Sequence, residues 1–230
     1  MKLKIMSAVA LLSIVGAAAN GAVFNGTDAD GRDATAEFTV VGTDLIVTLT
    51  NSASADVLLP IYVLTGVMWN MDPVSLTRTS ALLNAGSTVI YDSQPAGGNV
   101  GGEWCYKGGV SVRGTNHIIS SAGLGVVGNG DLFGGPNLSG PTGPNGLQYG
   151  ITTASDNAAT GNGGILGSEG LIKHSVVFVL GGIAADFDPA RISNVQFQYG
   201  TDLSEPYTPT PGTAGLMFLA GAASLRRRRR

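Results

Sequence analysis

The last 22 residues set the terms for the rest of the chain. Pro209-Thr210-Pro211-Gly212-Thr213 precedes the uncharged stretch Ala214 to Leu225, and Arg226, Arg227, Arg228, Arg229 and Arg230 end the sequence. Paired prolines cannot continue a helix or a central strand, so they predict a stiff, exposed spacer. The twelve apolar residues that follow would make a helix of roughly 18 Å, against a hydrocarbon core of about 30 Å. An arginine cluster beside an apolar segment stays on the cytoplasmic side of a membrane. Residues 206–230 therefore read as a marginal stop-transfer tail, suited to being held briefly and then removed. A permanent C-terminal anchor is the alternative.

The start of the chain agrees. Lys2 and Lys4 precede the apolar run Ile5 to Val15, and Ala17-Ala18-Ala19-Asn20-Gly21-Ala22 supplies small residues. Residues 1–22 read as a secretory signal peptide, with cleavage after Ala19, Gly21 or Ala22 open on this pattern. The predicted exported domain is 23–205. Residues 23–208 hold six basic side chains and all sixteen acidic ones, a formal charge of 6 − 16 = −10. Such a domain repels nucleic acid and anionic lipid. Cys105 is the only cysteine, so an internal disulfide is excluded despite the predicted export.

The periodicity of this domain is β. Ala36, Phe38 and Val40 alternate with polar residues, and after Gly42-Thr43 the pattern resumes at Leu45, Val47 and Leu49, a hairpin with one buried face. Pro60 interrupts the apolar run 57–67 and predicts a bend. Short strands are predicted at 88–91, 117–120 and 147–153. The β-branched run 175–180 predicts a central strand, and Val195, Phe197 and Tyr199 predict a half-buried one. Residues 121–170 carry fifteen glycines and read as long loops. The expected fold is all-β: one antiparallel β-sandwich or jelly-roll-like domain with Gly-rich loops, flanked by the signal peptide and a short hydrophobic helix.

The tail resembles the PEP-CTERM sorting signal of exported bacterial proteins. Pro209 and Pro211 match that signal's prolines, with Thr210 standing where it usually has Glu. Ala214 to Leu225 matches its transmembrane segment, and Arg226 to Arg230 its basic end. Residues 36–51, 181–188 and 192–201 are also similar to segments of PEP-CTERM surface proteins. The resemblance implies processing by an exosortase, a membrane-embedded, cysteine transpeptidase-like enzyme. It implies a cell-surface or extracellular-matrix protein, anchored transiently in the inner membrane. Its partners would be the exosortase, the export machinery and extracellular polysaccharide, with a mature domain that is structural or adhesive and not enzymatic. A carbohydrate-binding module or a secreted glycoside hydrolase are the alternatives.

Little in the domain carries recognisable chemistry. Asp28, Asp30 and Asp33 form the one metal-like run, and Gly31 and Glu37 also fit a calcium-loop spacing. Gly26, however, stands where the first carboxylate belongs, so a polar turn is the favoured reading and calcium the lesser one. His117 and His174 lie outside any zinc motif, and no Gly-x-Ser-x-Gly elbow or Walker loop is present. No cofactor is expected. Trp69, Trp104, Tyr106 and Tyr149 could stack on sugar rings or pack in the core.

Overall fold

A computed structural model describes residues 21–72, 75–135, 143–166 and 170–210. Residues 1–20 of the predicted signal peptide lie outside the described residues. So do Pro211, Gly212, the apolar stretch 214–225 and Arg226 to Arg230.

Thirteen strands are described: β1 Gly21–Thr27, β2 Asp33–Val41, β3 Asp44–Asn51, β4 Leu64–Asn70, β5 Thr77–Leu83, β6 Thr88–Ile90, β7 Cys105–Val112, β8 Thr115–Ser120, β9 Ile151–Thr152, β10 Leu171–Lys173, β11 Ser175–Gly181, β12 Ser193–Tyr199 and β13 Tyr207–Pro209. They form two sheets. The first runs β1-β2-β3-β11-β5, and the second β13-β12-β4-β9-β10-β6, with β8 joining β4 to β7. The sheets face each other across one apolar core, where Phe38 of the first meets Trp69 of the second edge to face at 5.4 Å. The all-β expectation holds, and the arrangement is sandwich-like.

The hairpin of β2 and β3 pairs Val41 with Asp44 and Ala34 with Asn51. Ala36, Phe38, Leu45, Val47 and Leu49 are all buried, as period-2 alternation requires. Strand β11 lies between β3 and β5, which accounts for its unbroken apolar run. Pro60 opens a single 3₁₀ turn, Pro60–Tyr62, and the chain then enters β4.

Two expectations need correction. The strand pairing is not wholly antiparallel: β9 and β10 run parallel. The Gly-rich connection between them supplies the long crossover that a parallel pair needs. Strand β12 is buried on both faces, not one. Gln196 and Gln198 are inside, and Gln198 Oε1 accepts from Arg113 Nη1 at 2.6 Å while its Nε2 donates to the Asp202 carbonyl at 3.0 Å. Backbone pairing is also described on either side of 23–205. Gly21 and Ala22 pair with Thr39 and Phe38. Pro209 pairs with Gln196, and Thr210 N donates to the Val195 carbonyl at 2.9 Å. The first half of the proline spacer thus belongs to a sheet edge, where the missing proline N–H costs no ladder bond.

The registers also fix the molecule's two poles. Strand β1 rises from Gly21 to Thr27, with Gly21 beside the end of β2 that leads into the Gly42-Thr43 turn. Asn51, at the opposite end of that hairpin, donates to the carbonyls of Tyr62 and Ile151 at 3.3 and 3.0 Å. The start of β4 at Leu64 is therefore at the same pole as Thr27, and Asn70, paired with Ser193, is at the pole of Gly21. Strand β13 descends towards Val195 and leaves the sheet there. The described chain thus begins at the pole of Gly21, and β13 leaves the sheet heading towards that pole.

Candidate functional site

The opposite pole holds a cleft. Its first wall is the turn between β1 and β2. Asp28 Oδ1 accepts from the backbone N–H groups of Asp30 and Arg32 at 3.0 and 3.1 Å, and Gly31 takes a φ of +83°, which costs a residue with a Cβ but not glycine. This folding of the turn drives Arg32 inward until only 4% of it is exposed. Its Nη1 donates to Asp28 Oδ2 at 2.5 Å and to Asp30 Oδ2 at 3.1 Å, and its Nε to the Ile61 carbonyl at 3.0 Å. The guanidinium lies over the Tyr62 ring, 4.9 Å from its centroid, and 6.0 Å from that of Tyr199. Planar Arg cations take such stacked sites readily because they are weakly hydrated.

Arg32 pairs with two carboxylates of the metal-like run. Burial pushes the Asp28 carboxyl up, but the hydrogen bonds and charge of Arg32 more than offset this and hold it below its ordinary value. The reciprocal contacts with Asp28 and Asp30 outweigh the burial of Arg32 and raise its pKa. Asp28 and Asp30 thus close around an internal cation. Asp33 stands apart from them as the first residue of β2, opposite Thr27. Among the described residues, no group of three or more His, Cys, Asp or Glu side chains is placed to hold a metal ion.

The second wall is residues 51–62, pinned from behind by the Gly-rich region. Thr153 Oγ1 donates to the Ala55 carbonyl at 3.0 Å, and Asn162 N to that of Leu58 at 3.0 Å. Asp56 accepts from Asn157 N at 3.2 Å and from Thr160 Oγ1 at 3.1 Å, and buried Asp156 accepts from Val57 N at 2.8 Å. The loops predicted at 121–170 therefore act, in their second half, as a buttress. Between the walls is a cleft of about 240 Å³ lined by Asp30, Arg32, Asn51, Asp56, Tyr62 and Thr153, with Ala53, Ala55, Val57 and Leu58 as its apolar part. Leu58, Leu59 and Leu166 are exposed beside it.

The aromatic residues singled out in the sequence are elsewhere. Trp69, Trp104, Tyr106 and Tyr149 are all buried. Trp69 stacks on Tyr106 at 6.2 Å, and Trp104 meets Phe178 edge to face at 5.0 Å. Cys105 is buried, 3.6 Å from the Gly128 carbonyl, and burial pushes its thiol up to about 12. His117 is stacked beside both Trp69 and Tyr106, at 5.4 and 6.1 Å. His174 takes a φ of +87° where the chain passes from β10 in one sheet to β11 in the other. Sequence reasoning missed Arg32, Asn51, Asp56, Tyr62 and Thr153 as neighbours. The available signal was Arg32 itself, a lone cation among three aspartates. No family model, curated protein or solved structure matches the chain.

Proposed function

We propose that this chain is an exported cell-surface or extracellular-matrix protein, directed outward by its leader and sorted by a C-terminal signal that an exosortase-type membrane enzyme processes. The mature domain is a structural or adhesive unit and not an enzyme. The observation that best supports this reading is that the described chain starts at the pole of Gly21 and its last strand, β13, runs towards the same pole. A domain tethered through either end would present that pole to the membrane and the cleft away from it. The formal charge of −10 over residues 23–208 would also keep it off an anionic bilayer. Both carboxylates in the cleft are engaged, Asp30 with Arg32 and Asp56 with Asn157 and Thr160, which favours binding over acid–base catalysis.

In this scheme, residues 214–225 halt in the membrane and Arg226 to Arg230 remain inside. Each arginine costs about 2.5–3.5 kcal/mol at the centre of a bilayer. Because Thr210 is hydrogen-bonded to β12, the processing enzyme must cut beyond it. Mass spectrometry of the surface protein should show a C-terminus at Pro211 to Thr213. Replacing Arg226 to Arg230 with Gln should leave the tail unprocessed or release the protein to the medium. A mature surface protein that retains Arg230 would reject processing in favour of the permanent anchor.

A further inference from the structure

We propose that the cleft between the Asp28–Arg32 turn and residues 51–62 binds one sugar ring of a neutral polysaccharide. The donor and acceptor set suits hydroxyl groups, each of which both gives and takes a hydrogen bond. Arg32 uses Nε and Nη1 on Ile61, Asp28 and Asp30, and its Nη2 has no hydrogen-bond partner among the described residues. Asp30 is tied through Oδ2 alone and is largely exposed, so Oδ1 remains as an acceptor at the mouth. Asn51 Oδ1 meets only the distant Ala53 N–H, at 3.4 Å. Tyr62, Val57 and Leu58 supply the apolar surface that the C–H face of a pyranose needs.

Charge selects among ligands. Asp28 and Asp30 pair with the one guanidinium, Arg32, and Asp56 adds a further carboxylate to the lining, so the cleft is net negative and disfavours phosphate, sulfate and uronic acids. A metal ion would have to approach Arg32, which already pairs with two of those carboxylates. A neutral ligand incurs neither penalty. Size agrees: about 240 Å³ lies below the roughly 300–1,000 Å³ of sites for drug-sized ligands, so one ring enters. Exposed Leu58, Leu59 and Leu166 give its neighbours in a chain an apolar surface to cross. The walls are held by hydrogen bonds from 153–162 to 55–58, so little ordering is required on binding. Binding itself is independent of the sorting tail. The outward orientation of the cleft rests on the proposed function.

The test uses the full chain in a detergent without a sugar headgroup. Saturation-transfer NMR is run with the methyl glycosides of glucose, galactose, mannose and N-acetylglucosamine, and with their β-linked disaccharides. Galacturonate is the charged probe in the same measurement, and inorganic phosphate and calcium are titrated by calorimetry. At least one neutral glycoside should saturate, and its affinity should fall roughly tenfold or more in Asp30→Ala and in Tyr62→Leu, as expected for losing a charged hydrogen bond or an aromatic contact. Asp30 is exposed, so that variant should fold even if Tyr62→Leu does not, and melting curves check both. Absence of saturation by every neutral probe overturns the proposal. So does tighter binding of a charged probe, or unchanged affinity in the folded Asp30→Ala protein. A protein that binds a glycoside yet keeps its tail at the surface rejects the sorting scheme alone, and a processed protein that binds none rejects this inference alone.

Discussion

His117 should make the domain acid-sensitive before its carboxylates do. It sits on β8 at 1% exposure, with ring centroids 5.4 Å from Trp69 and 6.1 Å from Tyr106 and near-parallel planes. The Tyr106 hydroxyl lies 3.2 Å from its Nδ1. Burial pushes its pKa down from 6.5 to about 4, because an imidazolium there would lose its hydration. The sign follows directly. The unfolded chain takes up a proton below 6.5, whereas the folded chain does so only near 4, so stability falls as pH drops through that window and levels off beneath it. Integrating between pH 7 and pH 4.5 gives a loss of about 2.5 kcal/mol. For a domain of this size that corresponds to roughly 5–10 °C in melting temperature. His117→Phe retains the stacked ring and removes the titration. Urea denaturation of both proteins at pH 7 and pH 4.5 isolates the effect, because carboxylate contributions common to both cancel. The variant should be offset at both pH values by the lost Tyr106 contact, yet lose about 2.5 kcal/mol less than the wild type on acidification. An equal loss in the two proteins would refute the argument.

Three other outcomes follow from the packing. Gly26→Ala should destabilise the domain by about 1–3 kcal/mol. Its Cβ would stand 2.6 Å from Phe197 Cδ2 and 2.8 Å from Thr208 Oγ1, and an unshifted urea midpoint would show that β1 is not held that close to the second sheet. On the proposed export route the mature N-terminus should be Asn20, because cleavage after Gly21 or Ala22 would remove strand residues paired with β2, and Ala22 is buried; N-terminal sequencing that begins at Val23 would contradict this. The Cys105 thiol, pushed up to about 12 by burial, should resist iodoacetamide at pH 8 and react fully in urea, since the thiolate is the nucleophile; rapid labelling of the native protein would count against a buried position.

The sequence announced strands wherever one side chain in two was apolar and the intervening ones met solvent. The β2–β3 hairpin and β11 were legible for that reason. Strand β5 was hidden because Thr77, Arg78, Thr79 and Ser80 leave its first half without an apolar face. Strand β7 was hidden because Gly108-Gly109 breaks its pattern. In β12 the alternation was visible but misleading, because it cannot report what covers the second face. Gln196 and Gln198 read as solvent-facing until Arg113 and the 200–206 turn close over them. The same blindness to distant partners hid the cleft. Asp28-Ala29-Asp30-Gly31-Arg32-Asp33 contains both a cation cage and its cation, and local spacing weighs only the cage. Arg32 becomes decisive through Ile61 and Tyr62, 29 and 30 residues away, and Asn51 through Ile151, 100 residues away. Most close neighbours in the described domain are far apart in sequence, so a site assembled from turns at one pole has no local signature. A short window can carry only what acts on the unfolded chain, which is why the two ends of the sequence prompt the proposed sorting reading and the site between them prompts none.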